Sequence, residues 1–279
     1  MAPDVHWVRR ELDAPYALGG GDIAAFREQG FARLNGVLSP EILARYEPEI
    51  SRLARELARD KRPLAERETY GQAFLQVTNL WRRSELVREL VFSERLARLA
   101  ANLLETPAVR LYHDQALYKE PGGGLTPAHA DQFYWPFASD RIVTAWIPLQ
   151  AVTADMGPLG FYAGSHRCDF GRDLGISDES EQRIRDHLDT LDYPFVLEPF
   201  ALGDISFHLG WTFHRAPANR SAAPRSVMTI IYMDADMRLA QPANTYQQLD
   251  AKTWCPDVDV GGQAASPLNP VLYAGDNRA

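Results

Sequence analysis

Apolar positions follow two different rhythms along the chain. In "SPEILARYEPEISRLAREL", Ile42, Tyr46, Ile50, Leu53 and Leu57 recur at three- and four-residue steps and define one face of a helix. Ser39 at the N-cap and Pro40 at the first helical position mark where that helix starts. A shorter helix is expected in "GGGDIAAFREQG", a strand from Phe31 to Leu34, and a further helix from Ser84 to Leu104. From Val109 the pattern changes to short β-branched and aromatic runs, "VRLYHDQALYKEP", "IVTAWIPLQAV", "LGFYAGS", "DISFHLGWTFH" and "SVMTIIYMDA", broken by glycine, proline and asparagine. Runs of this kind predict antiparallel strands in a sandwich or barrel, with the helices covering the outer face of one sheet.

The expected organisation is one domain over residues 1–279: a mostly helical part to 108, a β core over 109–235 and a C-terminal extension over 236–279. A charged insertion at about 171–192 interrupts the core, and loops of that length often serve as lids. A chain of 279 residues with 46% hydrophobic content can bury one sizeable core. The formal net charge of -8 argues against a nucleic-acid or anionic-membrane surface, since either needs a clustered basic face. The first residues lack the apolar segment of a signal peptide, and no run reaches the ~18 apolar residues of a membrane span. A cytoplasmic protein with a small-molecule partner is expected, and nothing calls for an obligatory protein partner. Cys168 and Cys255 are far apart and read as reduced structural thiols. The basic residues are three lysines and twenty-six arginines, a bias of coding rather than of chemistry.

The chemistry concentrates in "HADQFYW". Residues two apart on an extended backbone point to one side, so His129 and Asp131 can reach a common point from a strand end. Alone, such a pair is more often a histidine hydrogen-bonded to an acid. Support comes from "GWTFHRAPANRSAAPRSVMTIIYM", in which a strand ending at His214 turns back into a strand that starts at Arg225, eleven residues later. A hairpin of that form would set His214 and Arg225 on one inner surface. Two histidines and a carboxylate occupy one face of an octahedral ion and leave three positions open, the arrangement of non-haem Fe(II) oxygenases. A guanidinium nearby suits the far carboxylate of a dicarboxylic cosubstrate that chelates the metal with its other end.

"HADQFYW", the tryptophan of "TAWIPL", "GPLGFYAGSH" and "HRAPANRSAAPR" together resemble the phytanoyl-CoA dioxygenase family of Fe(II)/2-oxoglutarate oxygenases, as does the earlier "FREQGFARLNGVLSPE". The resemblance runs from about Asp22 to Met233. It implies a double-stranded β-helix (jelly-roll, cupin-like) core with N-terminal helices packed on one sheet, in agreement with the strand pattern. It also implies that His129, Asp131 and His214 bind iron, that Arg225 anchors 2-oxoglutarate, that Trp146 lines the same pocket, and that O2 is the second cosubstrate. Gln76 and Asn79, polar positions in the apolar run "FLQVTNLW", would stand near the cosubstrate or substrate, or be buried amides satisfied by backbone. One position departs from the family, which often has a serine two places after the second histidine where this chain has Ala216; Thr144 or Thr229 could supply the hydroxyl instead. Related halogenases lack the acidic ligand, so Asp131 favours hydroxylation or another oxidation. The implied activity is oxidation of a C–H bond with release of succinate and CO2, the first substrate candidate being a natural-product intermediate. A non-catalytic jelly-roll, or a non-redox metal enzyme on the same scaffold, is the rival, and neither needs Arg225.

Other positions have milder readings. His208, six residues before His214, is a neighbour of the metal or a rival ligand. Asp114 reads as structural and His113 as pocket lining, because adjacent strand residues face opposite ways. His166 sits in a turn and would order a loop, while His6 and His187 would be exposed. Phe133, Tyr134, Trp135, Phe137 and Trp211 are core aromatics or, around a metal, the wall of a substrate cavity.

Overall fold

The computed structural model describes residues 5–58, 62–67 and 69–275. The N-terminal part contains α1 (Val5–Asp13), α2 (Gly20–Gln29), β1 (Phe31–Leu34), α3 (Pro40–Leu57), α4 (Thr69–Ala73), β2 (Leu75–Thr78), α5 (Glu85–Val91) and α6 (Glu94–Leu104). The β-rich part follows with β3 (Ala108–Lys119), β4 (Thr126–His129), β5 (Ile142–Pro148), β6 (Gly160–Tyr162), α7 (Asp178–Thr190), β7 (Phe195–Val196), β8 (Ile205–Leu209), β9 (His214–Ala216), β10 (Arg225–Asp234), α8 (Thr245–Trp254) and β11 (Val271–Ala274).

The Ser39 hydroxyl accepts from Ile42 N at 3.2 Å and caps α3, a contact of about 1 kcal/mol. Ile42, Tyr46, Ile50 and Leu53 are buried as the spacing predicts, but Leu57 at the helix end is 38% exposed. The helix expected over Ser84–Leu104 is two helices. Ser93 breaks it, because its hydroxyl donates to Leu12 O (2.9 Å) and accepts from Leu96 N (3.4 Å), so a second N-cap forms inside the run.

Two antiparallel sheets face each other in an open jelly-roll with flanking helices. The larger has the order β1-β8-β5-β10-β3-β11, with β2 also on β3; the smaller is β4-β9-β6-β7. Strands of the larger sheet are buried on both sides. From β5 and β10, Val143, Ala145, Ile147, Met228, Ile230 and Tyr232 turn outward into the core shared with α3 and α6. Ile142, Trp146, Val227, Ile231 and Met233 turn inward to smaller clusters between the sheets. This period-2 division leaves the inner positions free for chemistry.

The path after β8 differs from the sequence reading. Rather than one strand ending at His214, β8 ends at Leu209, a turn follows, and His214 opens β9 in the opposite sheet. The His214–Arg225 segment is therefore a crossing between sheets, not a hairpin within one. The turn is held by Leu209 N and the Thr212 hydroxyl, both donating to Gly30 O at 2.9 and 2.7 Å. The insertion folds into α7, capped by Ser177, and packs against β4. Among the described residues, no helix is long and apolar enough to cross a membrane.

Candidate metal centre

His129 ends β4 and His214 begins β9, and the two are direct partners across that ladder. Their rings lie 4.3 Å apart. Ala130 is extended, and Asp131 opens a 3-10 turn (Asp131–Tyr134) whose Gln132 N donates to Gly210 O at 2.9 Å. Both imidazole Nε2 atoms stand 3.7 Å from Asp131 Oδ1. One donor atom from each of the three residues fits within 4.8 Å of the others.

Each donor is aimed by a second contact. His129 Nδ1 lies 2.6 Å from Pro127 O and His214 Nδ1 2.9 Å from Thr212 O. A carbonyl can only accept, so each Nδ1 carries the proton and each Nε2 offers its lone pair inward. Asp131 Oδ2 accepts from the Thr144 hydroxyl (3.1 Å) and from His208 Nε2 (3.2 Å), which leaves Oδ1 for the centre. His208 is thus a neighbour that orients the carboxylate. It does so from the facing sheet, its ring 4.6 Å from that of His214.

Burial, helped at His129 by the neighbouring His214, pushes both imidazoles down to about 4. Burial alone would raise the Asp131 carboxyl, but His214, His208 and His129 outweigh it and hold it well below the usual carboxylate range. At neutral pH the trio is two neutral imidazoles and one carboxylate, the protonation state a divalent cation requires.

Arg225 opens β10 and is 2% exposed, so it is turned inward and not to bulk water. Its Nη1 donates to Gly157 O at 2.5 Å, its guanidinium lies 5.4 Å from the Trp146 ring, and Nε has no partner. Gly157 has φ 72, and a Cβ there would meet Pro217 O at 2.3 Å, so only glycine can turn that carbonyl onto the guanidinium. Neither hydroxyl suggested in place of a serine at Ala216 is free for that task. Thr144 is committed to Asp131, and Thr229 pairs in register with Trp146 and directs its hydroxyl to Gln115 O at 3.4 Å. The residue across the ladder from Ala216 is Thr126.

The remaining candidates divide. Gln76 is exposed rather than buried and shares a hydrogen bond with Gln115, its neighbours Leu75 and Val77 packing on the helix side. Asn79 takes a left-handed turn at φ 53 and accepts from Trp81 Nε1 at 3.2 Å, a turn-forming role. Asp114 is fully buried and accepts from Leu80 N (2.9 Å) and Trp81 N (3.4 Å), with burial pushing its carboxyl up to about 7. His113 lies between Tyr112 and Trp254, each ring at 4.8 Å, with Nδ1 unpartnered and burial holding it near 4.

Trp135 and Phe137 pack with Tyr112, Ile231 and Met233 as core. Tyr134 is half-buried, its hydroxyl accepting from Ile176 N at 2.8 Å and its ring 5.4 Å from Tyr246 of α8. Trp211 is half-buried under the Arg172 guanidinium at 4.7 Å. Phe133 is held by α8, whose Asn244 and Gln247 amides donate to its carbonyl at 3.2 and 3.0 Å. His166 orders its turn through Arg27 O at 3.1 Å, and His6 is exposed. His187 is not exposed as expected, because its ring stacks on Phe170 at 3.9 Å. Cys168 and Cys255 are buried free thiols.

Sequence reasoning missed Glu181. Its Oε2 accepts from Ala128 N at 2.8 Å, and its Oε1 is ion-paired with the Arg215 guanidinium at 3.0 Å. These residues adjoin His129 and His214, so α7 braces both ligand-bearing strands. In "SDESEQRIRDHL" this glutamate is one acid among several, and no local signal sets it apart.

Comparison with known proteins gives this geometry a family. The chain is 30% identical over 171 residues to the methylphosphonate hydroxylase of Gimesia maris, covering 59% of this chain and 62% of that protein. The chain spans 62%, 47% and 39% of the lengths of three curated relatives that it matches. Among solved structures, the non-haem α-ketoglutarate-dependent carbocyclase SnoK from nogalamycin biosynthesis superposes with TM-score 0.76 at 25% identity, covering 93% of this chain and 100% of that one. The epimerase SnoN in complex with Fe3+, α-ketoglutarate and nogalamycin RO superposes with TM-score 0.74 at 27% identity, covering 91% and 98%. The phytanoyl-CoA dioxygenase (PhyH) family model matches residues 26–227, which takes in β1, all of the candidate centre and Arg225, and the chain belongs to that family.

Proposed function

We propose that this protein is an Fe(II)- and 2-oxoglutarate-dependent oxygenase that oxidises a C–H bond of a small organic molecule. The observation that carries the reading is the convergence of His129 Nε2, His214 Nε2 and Asp131 Oδ1 in the correct protonation state, with the buried guanidinium of Arg225 on the facing sheet. The donor set of two imidazoles and one carboxylate fits ferrous iron with three positions left open. When bound, the iron with 2-oxoglutarate and O2 supplies the oxidising chemistry, and succinate and CO2 are the by-products.

The chain's own residues do the rest. Pro127 O and Thr212 O fix the imidazole tautomers, while Thr144 and His208 keep Asp131 from rotating. Arg225 receives the far carboxylate of the cosubstrate through paired N–H groups, and Trp146 holds its guanidinium in place. Tyr134, Trp211 and His113 form the proposed substrate wall, which excludes water and offers apolar surface to an organic molecule. A natural-product intermediate is the favoured substrate, in line with the biosynthetic enzymes SnoK and SnoN that the chain resembles. Asp131 occupies the acidic ligand position and supports hydroxylation or a related oxidation.

The test is anaerobic titration of Fe(II) and 2-oxoglutarate followed by O2. A weak visible charge-transfer band is expected, then succinate formation that is lost in His129→Ala and in Asp131→Ala. Wild-type turnover in either variant refutes the assignment.

A further inference from the structure

Lys119, one of three lysines in the chain, closes β3 directly across from Arg225 at the start of β10. Side chains opposite each other in an antiparallel pair share one face, here the inner one. Lys119 is 0% exposed. Its Nζ donates to Gly124 O at 2.5 Å and to the Thr126 hydroxyl at 2.9 Å, which leaves one of three ammonium N–H positions unused. The loop packs on its stem, because a Cβ at Gly123 would stand 2.9 Å from Lys119 Cγ.

Two buried basic groups side by side, one of them a guanidinium that keeps its charge, suit an anion. Among the described residues neither is in an ion pair, and the adjacent Glu120 turns away to Arg67. Arg225 from β10 and Thr126 from β4 are the polar side chains that face Lys119. Burial, and then Arg225, depress the lysine to about 6. Arg225 is lowered by burial only to about 10, so it keeps its charge. Thr126 lies across the β4–β9 ladder from Ala216, where the family often carries a serine. Because the Thr126 oxygen accepts from Lys119, its own hydrogen is free to donate.

We propose that Lys119 and Thr126 complete the site for the far carboxylate of 2-oxoglutarate, Thr126 in place of the missing serine, and that Nζ of Lys119 takes up one proton from solvent as that carboxylate enters. This rests on the oxygenase reading above. An anion within hydrogen-bond reach favours the ammonium form, so the bound state holds the proton that the free state releases. The sign follows from linkage: affinity is constant below about pH 6 and falls with rising pH above it, by up to about tenfold per unit.

The experiment is anaerobic calorimetric titration of 2-oxoglutarate into the Fe(II)-loaded protein in buffers of different ionisation heat, with the charge-transfer band recorded in parallel. Near pH 7.5 the wild type is expected to take up close to one proton per cosubstrate, and Lys119→Met about none, with affinity lower by roughly tenfold. Thr126→Val keeps the uptake and loses roughly three- to tenfold in affinity. The wild-type pH series needs no variant and stands even if Lys119→Met does not fold. Affinity that stays flat from about pH 6.5 to 8.5, or uptake unchanged in Lys119→Met, overturns the inference while a normal band leaves the oxygenase reading intact. No heat and no band in the wild type overturns both.

Discussion

The two ends of the space between the sheets are organised in opposite ways. At the metal end every donor already has a protein partner behind it: Pro127 O and Thr212 O on the imidazoles, Thr144 and His208 on the carboxylate. At the far end Arg225 keeps one guanidinium nitrogen without a partner, and Lys119 sits beside it with no carboxylate in reach among the described residues. The first end is complete in orientation, and its donor set suits a cation. The second is incomplete in charge, a costly state for buried groups. A site preorganised at one end and electrostatically hungry at the other favours a ligand that carries negative charge at both of its own ends and bridges them.

The contrast can be broken most forcefully at the far end. Arg225→Met is expected to weaken 2-oxoglutarate binding by about a hundredfold or more, since it removes one partner of a buried charged pair. Fe(II) affinity, measured without cosubstrate, should stay within a few-fold. Equal losses in both measurements would mean that the two ends are not separable.

At the metal end the expected effect is smaller. His208→Phe leaves Asp131 Oδ2 with Thr144 alone and should lower Fe(II) affinity by about ten- to a hundredfold. His208→Gln keeps a donor and should recover most of that loss. If His208→Phe binds iron like the wild type, its contact with Asp131 does not orient the ligand.

The mildest perturbation comes from outside the cavity. Glu181→Gln removes the charge between Ala128 N and Arg215, at a cost of about 1–3 kcal/mol. A melting temperature lower by about 2–6 °C is expected for a domain of this size, with Fe(II) affinity changed by less than tenfold. A large affinity loss without a stability loss would make Glu181 part of the centre rather than its brace.

Much of the site was legible because it is carried by local spacing. His129 and Asp131 flank one extended residue, and a strand end aims both the same way. Arg225 was legible by its offset from His214 and by its chemistry, although the geometry connecting them is a crossing between sheets instead of a hairpin. His208 was ambiguous because parity along a strand holds only while the chain stays in one sheet, and it leaves that sheet at Leu209. Thr144 was noticed for the wrong reason, as a substitute for serine, when its hydroxyl belongs to Asp131.

The sequence by itself determined which residue types could form a ferrous site, where α3 begins, and where the chain passes from helices to strands. These depend on interactions within a few residues, namely caps, side-chain alternation and turn chemistry. Only the tertiary structure decided which groups stand behind the ligands. Lys119 meets Arg225 through strand register, Thr126 meets Ala216 across the smaller sheet, and Glu181 reaches Ala128 from a helix 53 positions on. Those contacts join residues far apart in sequence, and they exist because burying two sheets against each other brings their inner faces together.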